Sequence, residues 1–212
     1  MLCSWAPARL EVRAEGRRVG GSLAYRSKGM LSTGNGRGEN ERPLGEVIER
    51  GAFEFSLRQV KDPSGTEDIF ALAAHDQTAP LASVRAGSLE FDDGKDALAF
   101  EAELVDTQPA RDVLELIRSG VATGISFGFM LPPQRRSPEA LEIKREPFEL
   151  GEGKDAVRFD PEPDVPPADV RIIRDLILFE VSLGVARPVF RENQARLRAV
   201  YMRPHRRRVF LP

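Results

Sequence analysis

The chain has 212 residues, 41% of them apolar and 30% charged, with a formal net charge of −2 from 31 Lys+Arg against 33 Asp+Glu. That size and composition suit one globular core with tails, and the near balance of charge excludes wholesale electrostatic binding to nucleic acid. One cysteine, Cys3, excludes an internal disulfide and suits a reducing compartment; with only His75 and His205 beside it, a Cys/His zinc site is excluded as well. No apolar run approaches the roughly 18–20 residues that cross a bilayer. The first seven residues lack the charged start and apolar stretch of a signal peptide, so the expected location is the cytosol or a particle built there.

In chain order, residues 10–14 alternate apolar and polar, as a half-buried strand does, and 19–25 is the expected partner across Glu15-Gly16-Arg17. Residues 27–42 read as a polar, glycine-rich loop. Within it, Gly34-Asn35-Gly36-Arg37-Gly38 lacks the Lys-Ser/Thr and the strand-to-helix setting of a phosphate-binding loop. Residues 44–49 form a short strand that runs through Gly51-Ala52-Phe53 into a helical turn ending at Leu57, and 69–74 is an apolar strand ending at His75. Two further strands, 88–91 and 97–105, are joined by the turn Asp92-Asp93-Gly94-Lys95.

The clearest helix spans 109–119. Asp106 or Thr107 can cap it, Pro109 suits its first turn, and Ala110, Val113, Leu114 and Ile117 recur at helical spacing before Gly120. A buried strand follows at 124–131. Residues 132–139 and 146–168, rich in proline, glycine and charge, read as flexible insertions with a short strand at 141–145 between them. Residues 170–185 read as one long apolar strand carrying Arg174, Asp175 and Glu180, followed by a helix at 193–202 and a basic tail from Arg203. Many β segments, few helices and no βαβ alternation predict an α+β fold, mainly antiparallel, a sheet or barrel with helices outside.

Three residues carry the chemistry. His75 stands where an apolar strand hands over to a loop. Ser126 sits in Gly124-Ile125-Ser126-Phe127-Gly128, and Glu180 is a carboxylate inside the apolar run Leu178-Phe179-Glu180-Val181-Ser182. Serine is a weak nucleophile without an adjacent base, and imidazole is the best base near neutral pH. The imidazole in turn needs a third group to hold its tautomer. Each residue alone has an ordinary reading, as a satisfied histidine, a tightly packed strand or a strand-edge glutamate. The Gly-x-Ser-x-Gly spacing also matches the nucleophile elbow of α/β-hydrolases, but that fold needs a histidine after the acid. Here only His205 follows, and Met130-Leu131-Pro132-Pro133 cannot start the required helix. An esterase of that kind is excluded on chain order. A nuclease lacks its clustered acidic ligands and basic face.

Taken together, four blocks resemble the prohead maturation proteases of tailed phages, whose fold is like that of the herpesvirus assembly protease. They are Gly45 to Phe53 with Ser56-Leu57; Ala71-Leu72-Ala73-Ala74-His75-Asp76 with Pro80-Leu81 and Gly87-Ser88-Leu89; Ala110-Arg111-Asp112 with Ile117 to Gly120 and Gly124 to Phe129; and Leu178 to Ser182. The sequence departs from the family pattern at Leu183-Gly184, where proline is common, and in the length of the insertion at 132–168.

The resemblance implies a closed or partly closed β-barrel surrounded by a few helices. It implies an arm at 1–17, a protease domain at 18–190 and a C-terminal helix and basic tail at 191–212. It further implies a serine endopeptidase with Ser126 as nucleophile, His75 as general base and Glu180 as third member, Asp76 and Asp175 being the other carboxylates near in sequence. Implied substrates are the scaffold or delta segment of the major capsid protein and the protease itself, which can also oligomerise, inside the assembling prohead in the host cytoplasm. No cofactor, metal, nucleic acid or membrane is expected. The competing expectation is a non-catalytic capsid assembly or scaffold module with the same core.

Overall fold

The computed structural model describes residues 2–4, 11–12, 16–32, 44–122, 124–133, 136–146, 148–150, 157–159 and 168–185. Among these are two helices and fifteen strands in four sheets, an α+β fold of mainly antiparallel pairing. One four-stranded sheet has the order β2-β3-β9-β8, built from β2 (Glu11–Val12), β3 (Arg18–Ala24), β8 (Leu89–Asp93) and β9 (Ala97–Glu103). The expected pairings hold here: Val12 lies opposite Val19, and β8 and β9 form a hairpin. Tyr25, just past β3, donates a 2.6 Å hydrogen bond to Asp93. Burial, then that bond, push its phenol far up.

A second sheet, β11-β14-β5-β4, contains β4 (Lys28–Ser32), β5 (Leu44–Ile48), β11 (Leu141–Glu146) and β14 (Ala168–Ile173). Here β4 corrects the reading of 27–42 as loop throughout. Its backbone pairs with β5 from Lys28 opposite Val47 onward, so tertiary pairing overrides a composition rich in turn formers. A small hairpin of β12 (Phe148–Leu150) and β13 (Val157–Phe159) likewise lies inside the stretch taken as a flexible insertion.

The remaining sheet is five-stranded, β1-β10-β15-β6-β7, with β1 (Leu2–Ser4), β6 (Phe70–Ala73), β7 (Asp76–Ser83), β10 (Gly124–Met130) and β15 (Ile177–Val185). The single strand expected over 170–185 is therefore two strands in two sheets. The break falls at Arg174-Asp175-Leu176, where Arg174 N–H donates to Ala140 C=O and Leu176 N–H to Ala52 C=O. At this corner Arg174 pairs with Glu142 and Asp175 with Arg136, while Leu176 stays fully buried. Strand β7 was not foreseen; its Pro80 lies beside a register shift on an edge strand, where a missing N–H is tolerated.

Helix α1 (Glu54–Val60) anchors this corner. Buried Ser56 donates to Leu176 C=O at 3.1 Å and accepts from Leu178 N–H at 2.8 Å, fixing the start of β15. Arg136 stacks 3.6 Å from the Phe55 ring centroid and pairs with Asp175. Helix α2 (Gln108–Arg118) begins after Thr107, and the four apolar residues at helical spacing are the ones it buries.

One apolar cluster joins the sheets and both helices, with Phe53 edge-on to Phe127 at 5.4 Å. Gly21 on β3 faces Ile125 and Phe100 so closely that a Cβ would stand 2.9 Å from the Phe100 ring. No sheet among the described residues closes into a barrel; sheets stacked on a shared core bury the apolar faces instead. The helix expected at 193–202 and the basic tail lie outside the described residues.

Candidate active site

Strands β6 and β7 are joined by a two-residue turn, Ala74-His75, with Ala73 opposite Asp76. Both turn residues have positive φ, +46° and +68°, as a type I′ hairpin demands and as non-glycine residues rarely adopt. Such conformations cost on the order of 1–3 kcal/mol each and persist only where the surroundings hold them. They are held here by β15: Ala74 N–H donates to Leu183 C=O at 3.1 Å, and His75 N–H donates to Ser182 Oγ at 2.7 Å. The turn thus thrusts the imidazole over the neighbouring strand.

There His75 Nδ1 lies 2.6 Å from Glu180 Oε1. The glutamate side chain is 1% exposed and the histidine 21%, with its Nε2 atom shielded from solvent. Ser182 donates to the other oxygen, Oε2, at 2.6 Å. The two remaining sequence candidates are engaged elsewhere. Asp76 accepts from the Thr78 hydroxyl and N–H, which hold its carboxyl below the usual carboxylate range. Asp175 pairs with Arg136 at 3.1 Å.

Ser126, fully buried, lies on β10 directly opposite Ser182 of β15, and Gly128 lies opposite Glu180. Opposed residues of an antiparallel pair share a face, and so do residues two apart on a strand. Ser126, Gly128, Glu180 and Ser182 therefore share one face of the sheet, while Phe127 turns into the aromatic core. Gly128 is required by the carboxylate. A Cβ there would overlap Glu180 Oε1 and come within 2.7 Å of its Cγ. Because Oε1 is also the oxygen that meets His75, the imidazole is brought across β15 toward the strand of Ser126.

The chain matches the family described as caudovirus prohead serine protease over residues 28–207. It belongs to that family. Compared with curated proteins and with solved structures, it matches none. Membership makes the chain a serine endopeptidase and ties it to maturation of the phage capsid.

In this protease the described residues include no group of three or more His, Cys, Asp or Glu side chains able to hold a metal ion, and no helix long and apolar enough to cross a membrane. Sequence reasoning singled out His75, Ser126 and Glu180 but gave Ser182 no role. The signal for Ser182 was present: a polar residue two positions from Glu180 in an apolar strand must share its face.

Proposed function

We propose that this prohead protease cleaves peptide bonds with Ser126 as nucleophile, His75 as general base and Glu180 as the carboxylate that orients the imidazole. The observation that carries the reading is the 2.6 Å contact from His75 Nδ1 to a nearly solvent-free carboxylate, on the face that Ser126 shares. A proton donated from Nδ1 to Glu180 leaves Nε2 as the basic nitrogen, the tautomer that general-base chemistry needs.

In the reaction His75 takes the Ser126 hydroxyl proton as the oxygen attacks the scissile carbonyl carbon. The tetrahedral intermediate collapses, breaking the C–N bond, and the imidazolium returns its proton to the leaving amine. Water then attacks the acyl-enzyme ester with His75 again as base, releasing the acid and regenerating Ser126. Ser126 is fully buried in this conformation, so the face above it must open when a peptide binds.

Capsid protein is the substrate class that family membership supports. The finer reading is that scaffold or delta segments and the protease itself are cut, inside the assembling prohead. It includes a single protease domain over 18–190 whose core is arranged as in the herpesvirus protease.

The test is Ser126→Ala co-expressed with the cognate capsid protein. Trimming is expected to fall by on the order of 10⁶ in turnover, the scale of nucleophile deletion in a catalytic triad. Capsid trimmed at the wild-type rate would end the assignment.

A further inference from the structure

The hydroxyl of Ser182 sits at the junction of the two features that aim His75, its strained turn and its carboxylate partner. It accepts the His75 backbone N–H at 2.7 Å and donates to Glu180 Oε2 at 2.6 Å, in a position with no solvent exposure. A serine hydroxyl has one proton to give and lone pairs to accept with, and both capacities are used here in opposite directions. From these contacts we infer that Ser182 is a positioning residue for catalysis, a clamp that locks the imidazole to the carboxylate from below. The inference rests on the proposed roles of His75 and Glu180.

The physical case is one of geometry. Glu180 can rotate about its terminal torsion, which is broad for a carboxylate. With Oε2 held by Ser182, Oε1 is left facing Nδ1. His75 lies in a region of φ that a non-glycine residue rarely keeps, and its N–H bond to Ser182 ties that backbone to the same strand that carries the carboxylate. The turn and the carboxylate are therefore positioned by one atom and cannot drift apart independently. Ser182 also lies directly opposite Ser126, so the clamp is one strand spacing from the proposed nucleophile. Its own proton is committed to Glu180, which separates it from the nucleophile's role.

The experiment uses the full-length protease and its Ser182→Ala and Ser182→Thr variants, with two readouts. The first is the rate of inactivation by a fluorophosphonate, resolved into a maximal rate and a half-saturation concentration, with the labelled residue identified by peptide mapping. Ser182→Ala is expected to lower the maximal rate on the order of 10- to 100-fold, the scale of a lost hydrogen bond to a charged group, with the half-saturation concentration unchanged; Ser182→Thr restores most of it. The second is the proton resonance of the His75 Nδ1–H. It is expected far downfield in the wild type and in the threonine variant, and broadened or moved upfield in the alanine variant. An alanine variant that matches wild type in both readouts overturns the clamp. So does one that slows only in proportion to its unfolded fraction. Failure of the probe to label Ser126 in the wild type would instead sink the nucleophile assignment, and the resonance would still decide the role of Ser182.

Discussion

Among the described residues two glutamates are withdrawn from water, and they illustrate different settings of a buried carboxylate. Glu46 on β5 is fully buried and pairs with Arg171, which lies opposite it on β14. Glu180 on β15 is as deeply buried but pairs with His75. A guanidinium keeps its charge throughout the working range and offers a rigid fork, so the first pair is fixed in composition and serves the sheet. An imidazole can both accept and release a proton, so the second pair can take part in the proton transfer proposed for it. Burial is common to both; the partner is what sets the proposed catalytic carboxylate apart from the one that serves the sheet.

The comparison breaks most sharply at Glu180. Glu180→Gln retains the shape but not the charge, and is expected to lower peptide-bond turnover by on the order of 10⁴, the scale seen when a triad carboxylate becomes an amide. Asp175→Asn, which alters only the Arg136 pair, is expected to leave turnover close to wild type. Reversal of that ranking in a capsid-trimming assay would move the third role to Asp175.

At the other carboxylate, Glu46→Ala strands the largely buried Arg171 charge. A loss of about 3–5 kcal/mol of stability is expected from urea unfolding, with turnover per folded molecule unchanged. If instead turnover falls and stability does not, Glu46 belongs to the reaction and the contrast collapses.

The smallest expected effect on stability is at Gly128. Gly128→Ala adds one methyl group where Glu180 already lies, costing about 1–3 kcal/mol by overpacking. Because the displaced atom is the oxygen that holds His75, turnover is expected to fall by more than the folded fraction does. An alanine variant as active per folded molecule as wild type would show that Oε1 can shift without consequence.

Much of this was legible before the structure. Alternation at 10–14 marked a strand with 19–25 as its partner, and helical spacing picked out the buried face of α2, because these periodicities are local consequences of backbone geometry. The four family blocks named His75, Ser126 and Glu180. Less was legible at 170–185, where an unbroken apolar run hid a change of sheet, since periodicity reports burial but not which layer buries a strand. Strand β7 was not read from the sequence; it holds Pro80, whose cost depends on being at an edge, a fact of the sheet and not of the residue.

By itself, then, the sequence determined many of the strands and both helices, which family the chain resembles, and which three side chains are the candidates for the chemistry. Only the tertiary structure decided which carboxylate meets the histidine. His75 and Glu180 are 105 residues apart, and their 2.6 Å contact exists because β6 and β15 pair in parallel with the strained turn held by Ser182. It also decided that no sheet among the described residues closes into a barrel and that Gly128 must lack a side chain. Register and contact across a sheet are set by the whole packed core, and no local run of residues encodes them.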